Sequence, residues 1–232
     1  MISKPKLVIS TGAGMSAESG LSTFRDSGGL WDNYNVMDVA SADGFARNPK
    51  LVHEFYNIRR RELMQVEPNE GHRALVELER WYDTYVVTQN VDNLHERAGS
   101  SNVLHLHGEL MKIRSIAHPE RVYELGSDNL ETTVDTVDEY GDNVRPHIVF
   151  FQEAVPMFEH AVDLVEQADV FVVIGTSLVV YPAAALLNYV RQGVPVYYID
   201  PHPAPVPEGV TVLRMGASDG VRKLVEILRP QG

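Results

Sequence analysis

Short, almost wholly apolar runs recur along this chain, and most are followed by a segment with helical spacing. Three of these runs are "KLVIS" near the start, "DVFVVIG" at 169–175 and "VPVYYID" at 194–200. Strands of this composition are buried on both faces, as happens when helices cover both sides of a parallel sheet. The pattern predicts an α/β fold, a Rossmann-like doubly wound parallel sheet with a smaller inserted lobe.

The same periodicity assigns the other segments. "TYVVT", "NVLHLHG" and "RPHIVFF" are predicted as further strands, and "NPKLVHEFYNIRRRELM", with Pro49 at its start, as a helix. "PAAALLNYVRQG" is also predicted as a helix, and "FRDSGGLWDNYNVMDVAS" as a loop. Strands and helices therefore alternate along most of the chain.

The alternation stops in the segment 112–143, which is rich in acidic residues. Its stretch 118–142 carries eight Asp or Glu residues against the single base Arg121. This segment is predicted to be either a solvated surface lobe or a docking face for basic protein tails. We expect one catalytic domain over 1–232, with a Rossmann-like part at about 1–40, 69–111 and 144–232, a small helical insertion at about 41–68, and the acidic lobe at about 112–143.

Composition narrows the class of protein. A net charge of −12 argues against binding to nucleic acid or to an anionic membrane surface. The chain has no cysteine, which excludes disulfides, a thiol nucleophile and a cysteine-ligated zinc. The most apolar run is interrupted by Gly175 and Pro182, and the polar start does not resemble a secretory signal. We therefore expect a cytoplasmic protein without a membrane span.

The first apolar run leads into a glycine turn, "TGAGMSAES". Gly12, Gly14 and Ala17 fit the G-x-G-x-x-A pattern of dinucleotide-binding turns. The acidic residue that usually follows about 20 positions later is missing. Asp200, at the end of "VYYID", is a candidate to bind a ribose hydroxyl instead.

Other strand ends carry small or polar groups. Thr176 and Ser177 follow "VFVVIG", at the carboxyl end of a predicted parallel strand, where ligands of open α/β sheets bind. Gly216 and Ala217 would let an adenine approach the main chain. Together these positions predict a nucleotide site along one edge of the sheet.

The segments "TQNVDNLHERAG" and "LHLHGEL" are also polar at strand ends. A helix cap explains one of Gln89, Asn90 and Asp92, but not all three. His105 and His107 share a face if they lie on a strand. The two histidines could ligate a metal, although no third ligand is evident nearby. His107, followed by Gly108 at a strand end, is a candidate general base, since histidine titrates near neutral pH. His105 is interpreted as a core histidine.

Five blocks occur in order: "GAGMSAESGLSTFR", "TQNVDNLHERAG", "LHGEL", "RPHIVFF" and "GTSLVVYPAA". Together they resemble the sirtuin family of NAD-dependent protein deacylases over roughly residues 6–111 and 144–217. The resemblance implies that NAD is a co-substrate and that acyl-lysine proteins are the partners. The products implied are nicotinamide, free lysine and O-acyl-ADP-ribose.

The resemblance also implies roles for particular residues. His107 and Asn90 would be catalytic, with His107 the general base on the nicotinamide ribose. An acyl-lysine peptide would add as an extended strand beside Val149, Phe151 and Val179. The resemblance and the strand-end pattern together give these cofactor-binding candidates: Gly12, Ala13, Gly14, Phe24, Arg25, Gln89, Asn90, Asp92, Gly175, Thr176, Ser177, Asp200 and Ala217.

The chain departs from the family pattern in ways that matter for its chemistry. The two cysteine pairs of the usual zinc module are missing, so no zinc is expected. Gln152 replaces the glycine of the usual Phe-Gly-Glu, which puts a side chain where the peptide would pass. Tyr56 and Arg59 form a Tyr-x-x-Arg arrangement that resembles the branch removing succinyl, malonyl or glutaryl groups. The alternative is a surface pair on a helix.

Two other functions remain open from the residues. One is an ADP-ribosyltransferase or NAD glycohydrolase built on the same nicotinamide pocket. The other is a non-catalytic NAD-sensing module whose acidic lobe recruits partners. The oligomeric state is left open.

Overall fold

The computed structural model describes residues 3–21 and 33–230, and these residues form two sheets and the helices that cover them. The strands are β1 Lys6–Thr11, β2 Asp83–Thr88, β3 Val103–His105, β4 Gly108–Ser115, β5 Val122–Glu124, β6 Val144–Ile148, β7 Val170–Ile174, β8 Val196–Ile199 and β9 Val210–Leu213. The α-helices are α1 Gly14–Ala17, α2 Val36–Val39, α3 Ala42–Arg47, α4 Pro49–Leu63, α5 Glu70–Leu78, α6 Leu94–Ala98, α7 Phe158–Glu166 and α8 Ala217–Leu228.

The larger sheet has six parallel strands in the order β3-β2-β1-β7-β8-β9. Strand β1 lies inside the sheet, and its Ile9 is opposite Val86 on one side and Val172 on the other. The chain runs from β1 to β2 and β3 on one side, and β7 to β9 continue the sheet on the other. Strand order therefore reverses beside β1, which is where ligands bind in open α/β sheets. The predicted fold class is confirmed.

Residues of β1 alternate between two apolar cores. Leu7 and Ile9 pack with α5 and α8 on one face, in a cluster that includes Leu75 and Leu224. Val8 packs on the other face with α7, in a cluster that includes Val165. Side chains of a strand alternate between its faces, so a strand with both faces covered must be apolar throughout. This explains the near-continuous Val and Ile runs.

The smaller sheet is antiparallel, in the order β5-β4-β6. "RPHIVFF" forms β6, but this strand pairs with β4 and does not join the parallel sheet, which corrects the expectation. The physical reason lies at Gly108, whose φ of +82° turns the chain away from β3. A Cβ there would lie 2.1 Å from the carbonyl oxygen of His147, so only glycine allows β4 to approach and pair with β6 at this point.

Two local predictions were also wrong, and one strand was missed. Part of the predicted loop at 24–41 is helical, because Asn35 caps α2 by accepting a bond from the Met37 N–H. "PAAALLNYVRQG" forms a 3₁₀ helix, Ala183–Tyr189, in place of an α-helix. The edge strand β9 was missed: its sequence VTVL is only four residues long and none of the four is fully buried. In contrast, the helix predicted from Pro49 is present as α4.

Among the residues that the structure describes, none of the helices is long and apolar enough to cross a membrane. The cytoplasmic location stays a prediction.

Candidate active site

The predicted site residues lie at the carboxyl ends of neighbouring strands, along one edge of the parallel sheet. Gly12–Gly14 follow β1, Gln89–Asp92 follow β2, Gly175–Ser177 follow β7 and Asp200 follows β8. Because parallel strands end at the same edge, these groups converge on the point where strand order reverses. Their amide, hydroxyl and carboxylate groups fit the phosphates, ribose hydroxyls and carboxamide of a dinucleotide.

The glycine turn packs directly against the loop after β7. The N–H of Gly12 donates to the Ile174 carbonyl at 2.9 Å, and the N–H of Gly14 to the Gly175 carbonyl at 2.8 Å. A Cβ on Gly12 would lie 2.7 Å from the Cβ of Thr176. The two glycines are therefore required by loop packing, and the structure already uses both of their N–H groups. A phosphate must be bound here by other donors.

Asn90 and Asp92 are buried in a hydrogen-bond network with helix α1. The Asn90 side-chain amide donates to the Gly12 carbonyl and to the Ser16 hydroxyl oxygen, both at 3.1 Å. The Ser16 hydroxyl donates to one Asp92 oxygen at 2.9 Å, and the Leu94 N–H donates to the other at 3.1 Å. These bonds hold the loop after β2 against the glycine turn and tie Asp92 to Leu94, the first residue of α6.

Burial raises the pKa of Asp92, since a charged carboxylate loses its hydration there. The bonds from Leu94 and Ser16, and the charges of His105 and Arg59, oppose this rise. A carboxyl group with a raised pKa at the edge of a nucleotide site is typical of functional positions.

The position of His107 and the location of its single ring proton both suit a general base. Its Nδ1 lies 3.0 Å from the main-chain carbonyl oxygen of Gln89. That oxygen can only accept a hydrogen bond, so Nδ1 carries the proton and Nε2 is free of one in the neutral ring. Burial lowers the pKa of His107, which keeps the ring neutral near pH 7, and the bond to Gln89 offsets part of this effect.

His105 lies two residues before His107 and makes two polar contacts. Its Nδ1 is 2.9 Å from the Asn90 carbonyl oxygen, and its Nε2 is 2.7 Å from a carboxylate oxygen of Glu96. Burial alone would lower the pKa of His105, but the bond and charge of Glu96 raise it overall. The imidazole is 7% exposed and both of its nitrogens have partners, which fits the expected core histidine, and it also contacts the Glu96 carboxylate within the site.

Tyr56 and Arg59 lie on one face of α4, with Tyr56 against Phe150 and Arg59 near Asp92. The Tyr56 ring is buried and packs on Phe150, with ring centroids 6.0 Å apart. Arg59 is half-buried, and burial lowers its pKa while the charges of Glu62, Tyr56 and Asp92 raise it. Arg59 and Asp92 each alter the pKa of the other, so the guanidinium is near the buried carboxyl group.

The two segments predicted to flank a peptide are partly exposed. Phe151 is 43% and Val179 is 59% exposed, and Val149 is half-buried with its N–H donated to the His107 carbonyl at 2.9 Å. The main chain of Phe151 pairs with the segment 40–42, donating to Ala40 and accepting from Ala42. Both of the non-glycine residues with positive φ in the described chain lie in these segments: Gln152 at +77° and Leu178 at +56°.

The Gln152 side chain is turned onto helix α3. Its Oε1 accepts a bond from the Asp43 N–H at 3.2 Å, and its Nε2 donates to an Asp43 carboxylate oxygen at 2.8 Å. These two hydrogen bonds hold Gln152 in a backbone region that usually requires glycine. It also directs the side chain toward Asp43.

The remaining predicted cofactor residues have mixed outcomes. Phe24 and Arg25 lie outside the described residues. Asp200 accepts a bond from the His202 N–H at 2.8 Å, so its carboxylate also closes a local turn. Ala217 is buried in the core under the sheet, so only its main chain could meet a ligand. The Glu18 carboxylate lies 2.5 Å from where a Cβ on Gly216 would stand, so an adenine on that side would have to displace this side chain.

Three residues of the site were not found from the sequence: Ser16, Glu96 and Glu18. Ser16 joins Asn90 and Asp92, and Glu18 accepts a bond from the Ser218 N–H at the start of α8. The polar "SAES" inside the first helical turn was the only available signal for two of them.

Fold and site together define an α/β enzyme class that binds a dinucleotide at the sheet edge and carries a neutral histidine beside it. Residues 12–182 match the Sir2 family, and the chain belongs to that family. A curated NAD-dependent protein deacylase of Bacteroides thetaiotaomicron is 54% identical over 229 residues, which cover 97% of this chain and 98% of that protein. One of Helicobacter pylori with the same name is 47% identical and covers 95% and 98%.

Solved structures agree with this assignment. The crystal structure of a Sir2 homologue in complex with NAD superposes with a TM-score of 0.87 at 38% identity, covering 97% of this chain and 90% of the other. The predicted resemblance to the sirtuin family is confirmed.

Proposed function

We propose that this NAD-dependent protein deacylase removes succinyl or malonyl groups from protein lysines at least as well as acetyl groups. The observation that carries the proposal is the position of the Tyr-x-x-Arg pair. Tyr56 packs on Phe150, next to the predicted peptide segment, and Arg59 is near Asp92 in the predicted nicotinamide pocket. The pair therefore lies between the two subsites that an acyl-lysine must bridge.

A carboxylate at the end of an acyl chain matches the chemistry of this pair. Residues three apart share a helix face, so the phenol and the guanidinium can act on one group. Arginine binds a carboxylate with two parallel hydrogen bonds. Burial raises the pKa of Tyr56, so the phenol keeps its proton and can donate a hydrogen bond to the carboxylate.

The other site residues take roles that follow from their contacts. Bound NAD supplies the ribose that accepts the acyl group and is consumed. Asn90 and Asp92 would hold the nicotinamide end, while Gln89, Thr176 and Ser177 would bind ribose and phosphate groups. Nε2 of His107 would take the proton of a ribose hydroxyl. Phe151 and Val179 would line the peptide.

The test of acyl choice compares kcat/KM for succinyl- and acetyl-lysine peptides in the wild type and in Arg59→Met. Hydrogen bonds to charged groups contribute about 1.5–3 kcal/mol, so the variant should lose roughly 10- to 150-fold on succinyl-lysine. Acetyl-lysine has no carboxylate and should be nearly unaffected.

Arg61→Met is the matched control for this experiment. Arg61 lies two positions further along α4, is exposed and pairs with Glu131. Its loss should leave both substrates unchanged. An unchanged ratio of the two substrates in Arg59→Met would show that the enzyme is an ordinary deacetylase.

The role of His107 has its own test. His107→Ala should lower deacylation about 10²- to 10⁴-fold, the usual contribution of a general base. Calorimetry should show that NAD still binds within about threefold of the wild-type affinity, because the side chain acts on the reaction. Near-normal turnover in this variant would exclude His107 as the base.

A further inference from the structure

We propose that His105 is a positioning residue: as an imidazolium that bridges Glu96 and the main-chain carbonyl of Asn90, it holds the Gln89–Asp92 loop in its active form and limits activity at alkaline pH. The inference rests on the proposed role of Asn90 at the reacting centre. It assigns a role to a second histidine, which acts in its charged form, whereas His107 acts in its neutral form.

The protonation state of His105 follows from its two partners. Nδ1 faces the Asn90 carbonyl at 2.9 Å, and Nε2 faces the Glu96 carboxylate at 2.7 Å. Both oxygens are acceptors, so both ring nitrogens must carry a proton. His107 has one such partner at Nδ1 and stays neutral. The two histidines, two residues apart, are therefore held in different charge states.

The same two histidines hold two consecutive carbonyl groups of the loop. His107 binds the carbonyl of Gln89, and His105 binds that of Asn90. Glu96 lies on α6, which follows the loop. His105 on β3 therefore contacts the loop itself through Asn90 and the helix after the loop through Glu96. The His105 side chain is only 7% exposed and that of Glu96 is 40% exposed, so water reaches the pair from the carboxylate side and the imidazole is shielded.

Charges from each packed element act on His105. Glu96 of α6 and Glu109 of β4 raise its pKa, while burial lowers it, and the net effect is a raised pKa. Asp92 in the loop and His95 of α6 are also coupled to its charge, and Lys112 pairs with Glu109 at 2.8 Å. His105 is fully protonated at pH values well below this raised pKa and loses its charge as the pH rises through it. A neutral ring can donate only one bond, so one of the two contacts fails.

The experiment measures kcat against pH for an acetyl-lysine peptide at saturating NAD. The wild type should lose activity at alkaline pH as His105 deprotonates. In Glu96→Gln the hydrogen-bond acceptor remains but the negative charge is gone, so the pKa of His105, which burial lowers, should fall. The alkaline limb should move to lower pH by at least about one unit.

His105→Gln removes the titrating group itself. Its kcat should fall about tenfold at pH 7.5, as expected for a misplaced catalytic loop, and its alkaline limb should disappear. The KM for the peptide should stay within about twofold, because the peptide segments do not contact His105. Glu109→Gln is the matched control, since it removes a nearby charge that acts on His105 without a hydrogen bond to it, and its limb should move less than in Glu96→Gln.

An alkaline limb that stays in place in both Glu96→Gln and His105→Gln would overturn the proposal. Equal losses of kcat at every pH with a lowered Tm would assign His105 a structural role only and would also overturn it. The acyl-choice proposal is tested separately, because it depends on a substrate ratio that these variants leave unchanged.

Discussion

The parallel sheet and the acidic lobe at 112–143 are held together by different forces. Both faces of the sheet are covered by clusters of fully buried aliphatic and aromatic side chains. The lobe leaves five large apolar side chains more than a third exposed: Ile116, Val122, Val134, Val137 and Tyr140. A region with so little buried apolar surface must obtain its order elsewhere.

One face of helix α4 supplies that order through buried polar groups. Arg60 is fully buried, and its guanidinium donates to the carbonyls of Leu110 at 2.8 Å and Leu130 at 3.3 Å. The Asn57 side-chain amide binds the main chain of Thr132: its Nδ2 donates to the carbonyl at 2.8 Å and its Oδ1 accepts from the N–H at 3.0 Å. Directional bonds to α4 therefore do for the lobe what apolar packing does for the sheet.

The largest effect is expected at Arg60. Arg60→Met removes its bonds and leaves the Leu110 and Leu130 carbonyls buried without this donor, so the free energy of unfolding should fall by about 4 kcal/mol. Limited proteolysis should cut the lobe before the sheet. Arg61→Met is the control, since an exposed ion pair contributes at most about 1 kcal/mol. Equal losses in the two variants would contradict the comparison.

Acid should weaken both regions through different histidines. Burial lowers the pKa of His53, which contacts Thr132 at 2.8 Å, and of His72, which caps α5 beside the sheet, to about 4 each. The unfolded chain binds these protons near pH 6.5, so each group costs stability as pH falls from about 6.5 to about 4. A shift of this size corresponds to about 3 kcal/mol per histidine.

Amide hydrogen exchange at pH 7 and pH 5 separates the two regions. His53→Gln should reduce the acid sensitivity of the lobe alone, and His72→Gln that of the sheet core alone. If His53→Gln protected both regions equally, the lobe and the sheet would unfold as one unit and the comparison would fail.

The smallest expected effect is that of a chelator. The chain has no cysteine, and among the described residues no group of three His, Asp or Glu could hold a metal ion. EDTA should shift the Tm by less than about 1 °C, because α4 orders the lobe. Elemental analysis of tag-free protein that found one zinc per chain, together with a clear loss of Tm in EDTA, would show that a metal contributes as well.

Composition was enough to predict the parallel sheet, because burial of both strand faces leaves its mark on every residue of the run. The strand ends were predictable for a related reason, since parallel strands must bring their carboxyl ends to one edge. The partner of β6 was not, because "RPHIVFF" records the burial of its side chains and not the strand it meets.

The charge of His105 could not be predicted for another reason. It depends on the direction of one carboxylate from Glu96, which lies nine residues earlier on a different element. Arg60 was passed over because an arginine in a helical pattern is usually exposed. Its burial depends on the path of residues 130–132, which the acidic sequence does not reveal.

The chain enters and leaves the smaller sheet, which carries the lobe, at a single pair of residues. Gly108 stands opposite Ile148, and the next main-chain bond joins Val149 to His107 itself. Everything between is a closed excursion on a two-stranded stem. The lobe is therefore exchangeable in principle: a replacement segment that keeps the two paired strands and offers α4 equivalent hydrogen-bond acceptors would leave His107, the proposed general base, in its present position.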